Sequence, residues 1–223
     1  MEQKHIHHQY DVDLQKISSL FLEMGDLVET QVEFAIRAIQ NSDSALTQLV
    51  IQQEEKVNEY EIEIDALCSS VIARRQPIAS DLRFIIAISK MTTNLERIGD
   101  EAEKIAQKTR RLISERQLKL IDNINILEEA KISLHLLSGV LTAFSRQDIK
   151  QAQEVINQDK ALDDAFVQIL NTLMLGVYSG GKDVSILMDC LFMAKGIERI
   201  GDHTKNIAEQ IIYMVEGVDI RHK

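Results

Sequence analysis

The pentapeptide Glu-Arg-Ile-Gly-Asp occurs twice in this chain, at Glu96–Asp100 and at Glu198–Asp202. An offset of 102 residues keeps the flanks in register: Asp81 with Asp183, Met91 with Met193, Leu95 with Ile197, Ile105 with Ile207, Ala106 with Ala208. Upstream the match continues at an offset of 105, pairing Ala38, Ile39 and Asp43 with Ala143, Phe144 and Asp148, and Val50, Ile51 and Glu54 with Val155, Ile156 and Asp159. A loop between the second and third elements of each copy absorbs the change in offset. A chain built from one unit twice must fold into something that unit can make twice.

Composition decides what the unit is. One proline, nine glycines and 4% aromatic residues in 223 leave too little turn punctuation and too few aromatics for a strand-rich fold. The chain is predicted to be all-α, with six long helices in two tandem, pseudo-repeated three-helix bundles. Residues 1–12 read as a flexible arm, 13–115 as the first bundle, 116–123 as a joint, 124–217 as the second bundle and 218–223 as a tail. Apolar spacings of three and four predict helices over about 13–40, 44–74, 80–115, 125–146, 149–178 and 183–215. Asn41-Ser42-Asp43 supplies N-cap residues, Asn125 with Glu128 resembles a capping box, and Pro77 and Ser179-Gly180-Gly181 interrupt equivalent places.

The formal net charge is −10, so no basic face is expected for nucleic acid. Cys68 and Cys190 sit in apolar helical patterns and read as small core residues of a reducing compartment. With no signal peptide and no apolar run of about 18 residues, a cytoplasmic protein is expected.

The acidic residues are patterned. At about 100° per residue, Glu96, Asp100 and Glu103 lie roughly 140° from the apolar seam of Leu95, Ile98, Ala102 and Ile105. Glu198, Asp202 and Asn206 repeat this on the sixth helix. Glu54, Asn58, Glu61 and Asp65 form a stripe at the edge of the apolar face of the second helix, and Asp159 and Asp163 hold the aligned places on the fifth. Like charges at i and i+4 destabilise a helix by about 0.2–0.5 kcal/mol. Two such faces brought together suit a hard or borderline cation; solvated acidic surfaces are the alternative. Gly99 and Gly201 point to a close approach, by a neighbouring helix or an ion cluster. Arg97 is expected to pair on the surface, for instance with Glu101, and His135 to be partly buried. His203 is a possible extra ligand, while His5, His7 and His8 lie in the arm.

Leu-Glu-Arg-Ile-Gly-Asp at 95–100, Ile-Glu-Arg-Ile-Gly-Asp at 197–202 and Arg-Arg-Gln-Pro-Ile-Ala-Ser-Asp-Leu-Arg at 74–83 resemble the PhoU family of phosphate-regulon regulators, over about residues 13–221. The resemblance implies tandem three-helix bundles whose Glu/Asp-x-x-x-Asp motifs bind metal ions (Fe, Mn, Mg or Zn) in multinuclear clusters. Those motifs fall on Glu96 and Asp100, Glu198 and Asp202, Asp159 and Asp163, and Glu54 and Asn58. Glu103 and Asn206 are further metal candidates. Asn58 departs from the pattern with a weaker, neutral ligand, so tighter binding is expected in the second half.

The resemblance also implies negative regulation of phosphate uptake and of the phosphate-starvation (Pho) regulon. Its partners would be the ATPase subunit of the phosphate ABC transporter and the sensor histidine kinase, with the membrane reached only through them. The chain itself shows no nucleophile–base pair, phosphate-cradling loop or nucleotide motif, so no enzymatic turnover is expected. A carboxylate-bridged di-metal enzyme is the rival reading, weakened because the sole Glu-x-x-His is Glu2 to His5. A metal-free helical scaffold is the third. Apolar residues at flanking positions such as Ile86 and Met188 suggest a homodimer.

Overall fold

The computed structural model describes residues 2–118, 124–178 and 184–221, with side chains from Tyr10 onward except at 177–178. The described residues form six helices: α1 (Glu2–Asn41), α2 (Ser44–Arg75), α3 (Ala79–Ser114), α4 (Ile126–Arg146), α5 (Ile149–Tyr178) and α6 (Val184–Glu216). No strand occurs among them. Asp183, Ser179-Gly180-Gly181, most of the 116–123 joint and the side chains of His5, His7 and His8 lie outside the described residues.

The repeat is visible in the caps. Asp43 accepts from the Ala45 and Leu46 amides at 2.8 and 3.3 Å to start α2. Its counterpart Asp148 accepts from the Lys150 and Gln151 amides at 2.9 and 3.1 Å to start α5. Each cap satisfies backbone donors that a helix start otherwise leaves unpaired. The expected box at α4 does not form: Asn125 makes no capping bond, and Glu128 pairs with Lys131 at 2.7 Å.

Residues 2–12, expected as an arm, continue α1 as helical backbone. The Tyr10 hydroxyl donates to Asp81 at 2.9 Å, and Arg75 donates to Asp13 at 3.1 Å, so this end of α1 is tied to the α2–α3 corner.

Each half is a three-helix bundle. α1 packs on α2 and α3, and α4 on α5 and α6, while α3·α6 and α1·α4 join the halves. Partners along α3·α6 climb one helix as they descend the other. Arg83 donates to the Met214 carbonyl (3.0 Å), Arg199 to Glu101 (3.4 Å), Lys108 to Asp189 (3.2 Å) and Arg111 to Ser185 (3.0 Å). The seam is therefore antiparallel. On the other side Phe21 and Phe144 meet with ring centroids 4.5 Å apart, and Gly25 leaves room for Leu141. One apolar core runs through both bundles, from Ile17, Phe21 and Met24 to Ile207 and Ile211, with both cysteines free and buried inside it. Each fully buried Ile, Leu, Phe or Met contributes about 1.5–3 kcal/mol.

Glu101 and Asp189 are only 7% and 6% exposed in this seam, and each receives a cation from the opposite half. Glu101, expected to pair with Arg97, is taken by Lys104 at 3.0 Å and by Arg199. Arg97 instead reaches Glu96 (3.3 Å) and Asp100 (3.7 Å), which share its exposed side. His135 is exposed rather than partly buried, because it points away from the α4 seam of Ser133, Leu136 and Leu137.

Candidate metal-binding site

The first acidic face lies where α2 crosses α3. Thr47, Val50, Glu54, Val57, Ile64, Cys68 and Val71 are the buried residues of α2, in the alternating three-and-four spacing of a packed seam. Glu54 thus occupies a core position instead of the edge expected for it, with 5% exposure. Two features admit it. Gly99 on α3 has no side chain where a Cβ would stand 2.7 Å from Glu54 Oε2, and Gln31 on α1 donates to that same oxygen at 3.0 Å. The other oxygen, Oε1, is buried without a hydrogen-bond partner.

Burial pushes the Glu54 carboxyl up to about 7; the Gln31 amide opposes this, while Asp100, Glu103 and Glu96 push it further. Glu96 is likewise raised by burial and by Asp100 and Glu61, against Arg97. Glu54, Glu96, Asp100 and Glu103 therefore share one electrostatic neighbourhood. Glu103 also accepts from Gln107 at 2.8 Å, whereas Asn58 is exposed to solvent.

The second face lies between α5 and α6. Asp159 is 3% exposed and accepts from Lys205 Nζ at 2.8 Å. Asp202 and Asp163 sit at the open rim, yet crowding by the two helices still raises both carboxyls. After burial, the causes are Glu198 and Asp159 for Asp202, and Asp159 and Glu198 for Asp163. Glu198 is held by Lys195. Gly201 accommodates a different neighbour from Gly99: its absent Cβ would overlap Leu162 Cδ2, with Asp159 Oδ1 farther off at 3.4 Å. Asn206 is drawn across the seam to Asn94 (3.3 Å) instead of toward α5. His203 also meets Asn94 through Nδ1 at 3.0 Å, and burial lowers its pKa.

A residue that sequence reasoning missed lies beneath this face. Glu129 on α4 is completely buried, neither carboxyl oxygen has a hydrogen-bond partner, and burial with Glu198 pushes its pKa up to about 9 against Lys195. The signal was present: Ile126, Glu129, Ser133, Leu136 and Val140 alternate by three and four, so an acid stands in an apolar seam.

The match to the PhoU domain falls on residues 21–109 and again on 126–211, one stretch per bundle. The chain belongs to the PhoU family. A Burkholderia sp protein described as a phosphate-specific transport system accessory protein PhoU homolog is 40% identical over 223 residues, covering 100% of this chain and 95% of that one. The PhoU protein of that description from Escherichia coli K12 is 39% identical over 219 residues, covering 98% and 90%. The crystal structure of PhoU from Pseudomonas aeruginosa superposes with a TM-score of 0.87 at 36% identity, covering 94% of this chain and 100% of that one. PhoU from Streptococcus pneumoniae, described as a phosphate transport system regulatory protein, gives 0.85 at 26%, covering 95% and 99%.

Among the described residues, no three Asp, Glu, His or Cys side chains converge to hold an ion. Ammonium groups meet the carboxylates instead: Lys104 at Asp100 (3.6 Å), Lys195 at Glu198 and Lys205 at Asp159. In donor chemistry the two PhoU-family faces fit a hard cation. Every candidate presents oxygen, and Glu54 Oε1 lies buried with no donor.

Proposed function

We propose that this chain is an accessory protein of phosphate-specific transport that represses phosphate uptake and the Pho regulon when phosphate is plentiful. The observation that carries this is similarity over nearly the whole chain to relatives described as phosphate-specific transport system accessory proteins. It works by contact, without turnover, between the ATPase subunit of the phosphate ABC transporter and the sensor histidine kinase, and holds the kinase in its phosphatase state. A long helical surface of net charge −10 suits protein docking and disfavours DNA. No helix among the described residues is long and apolar enough to cross a membrane, and partners bring the protein to the transporter in the cytoplasm.

Metal ions are part of this reading. Glu54, Glu96, Asp100 and Glu103 would hold them in the first half, and Asp159, Asp163, Glu198 and Asp202 in the second. Exposed Asn58 would add an outer donor to the first set, whereas Asn206, turned to Asn94 across the α3·α6 seam, lies away from the second. Ile86 and Met188, 37% and 41% exposed, supply apolar contact for a homodimer.

Deleting the gene should make starvation-induced phosphatase constitutive in high phosphate, and deleting the sensor kinase as well should abolish that effect. Phosphatase that stays silent in the single deletion would overturn the regulatory reading. Light scattering that returns about 25 kDa at all micromolar concentrations would overturn the dimer.

A further inference from the structure

We propose that the cleft enclosed by α3, α6 and the C-terminal tail is a binding site for a small phosphorylated polyol of the sugar-phosphate class, held by both halves of the chain at once. The cleft has a volume of about 600 Å³, in the size range of small-molecule sites and far more than an inorganic phosphate fills.

The repeat shows that such a cleft is not what this helix pair leaves by default. Because α3 and α6 run antiparallel, each end of their seam has an equivalent at the other end, 102 residues away in sequence. Ser89, Lys90 and Asn94 correspond to Leu191, Phe192 and Gly196, while Asn206 and Gln210 correspond to Lys104 and Lys108. At that equivalent end the Lys108 ammonium lies over the Phe192 ring at 4.8 Å. Gly196 there lets Glu101 and Ile105 approach until an added Cβ would stand 3.2 and 3.3 Å from them. The end beside the tail has exchanged this packing for side chains that form hydrogen bonds.

The lining chemistry selects the ligand. Ser89, Thr93, Asn94, Asn206 and Gln210 offer hydroxyls and amides, and the described lining residues include no aromatic ring on which a base could stack. Ser89 donates to Asp65 at 2.7 Å, Thr93 to the Ser89 carbonyl at 3.4 Å and Asn206 to Asn94 at 3.3 Å. These bonds fix the side chains and leave both hydroxyl oxygens able to accept. Gln210 is 4% exposed and its Oε1 is buried without a hydrogen-bond partner, so a ligand hydroxyl would satisfy an amide that the fold does not.

Lys90 and Arg221 add two cations to the same cleft, and Glu209 a carboxylate that can accept from hydroxyls. Arg221 is anchored: Gly217 turns the chain out of α6 at φ 75°, Ile220 packs on the core and Asp219 accepts from Arg221 Nε at 2.9 Å. Five N–H donors let a guanidinium serve Asp219 and a phosphoryl group together.

Isothermal titration of the full chain with glucose 6-phosphate, glycerol 3-phosphate, glucose and inorganic phosphate tests this. At least one of the two esters should bind about tenfold or more tightly than either glucose or inorganic phosphate. Lys90→Gln and Arg221→Gln, both at exposed positions, should each weaken that binding by about tenfold. Lys104→Gln removes the same charge at the equivalent end of the seam and should leave the affinity unchanged. No binding of either ester, or inorganic phosphate bound as tightly as the ester, would overturn the proposal. Equal loss in all three variants would reduce the effect to net charge and overturn it too; circular dichroism confirms that each variant is folded.

Discussion

The two halves carry an identical Glu-Arg-Ile-Gly-Asp on α3 and α6 and surround it with different chemistry. Glu54 corresponds to Asp159, Asn58 to Asp163, Glu61 to Phe166, Glu103 to Lys205 and Met24 to Glu129. The first half crowds carboxylates between α2 and α3, with an amide beneath. The second sets Lys205 where the first has Glu103, against the buried Asp159, and keeps a further acid, Glu129, in the core. Even the shared glycine is used differently, for a carboxylate and an amide at Gly99 and for a leucine methyl at Gly201. A repeated motif thus fixes a backbone and four side-chain positions, while the neighbouring helices decide what those side chains face.

The largest test of this contrast is metal content. Asp100→Asn with Asp202→Asn should strip bound metal to background at unchanged helicity, and Asp202→Asn alone should remove more than Asp100→Asn alone. Elemental analysis beside circular dichroism checks both; unchanged stoichiometry in the double variant would break the assignment.

Next comes pH. Burial pushes the Glu129 carboxyl up to about 9 and that of Glu54 up to about 7, against about 4.3 for an unfolded glutamate. Between the unfolded and folded values the native state keeps a proton that the unfolded chain releases, so stability is highest in acid and falls as pH rises. Glu129 contributes slope up to about pH 9, and Glu54 only up to about pH 7. Glu129→Met should flatten urea-unfolding stability across the wider window and raise it by several kcal/mol at pH 8.5. Glu54→Gln should flatten only the lower part. Equal windows would erase the distinction between the halves.

The glycines give the smaller effects. Gly201→Ala drives a methyl into Leu162 and should destabilise by about 1–3 kcal/mol. Gly99→Ala sets a methyl against the buried Glu54 carboxylate at 2.7 Å, with Gln31 and Val57 close behind, and a helix-propensity gain of about 1 kcal/mol offsets part of that clash, so its net cost should be smaller than that of Gly201→Ala. Denaturant unfolding of both variants ranks them.

Helices and most of their ends were legible, since Asp43, Pro77 and the apolar spacings mark them locally. The acidic stripes were legible as stripes. What periodicity by hydrophobicity could not show was depth: Glu54 and Glu129 keep the seam spacing but read as surface because their atoms are polar. Only the neighbours explain their burial, and those are contributed by other helices. The Glu101 and Asp189 pairs escaped for the same reason, since Arg199, Lys108 and Arg111 come from the opposite half. Asn125 and Glu128 carried the right letters for a capping box without the geometry.

The antiparallel α3·α6 seam also speaks to origin. An antiparallel contact between equivalent helices is self-complementary, so a chain of one repeat could have closed it by pairing with its own copy about a two-fold axis. Fusing the copies would have freed each position to change on one side alone. Met24 opposite Glu129, and Glu103 opposite Lys205, are the kind of divergence that a symmetric ancestor could not have carried.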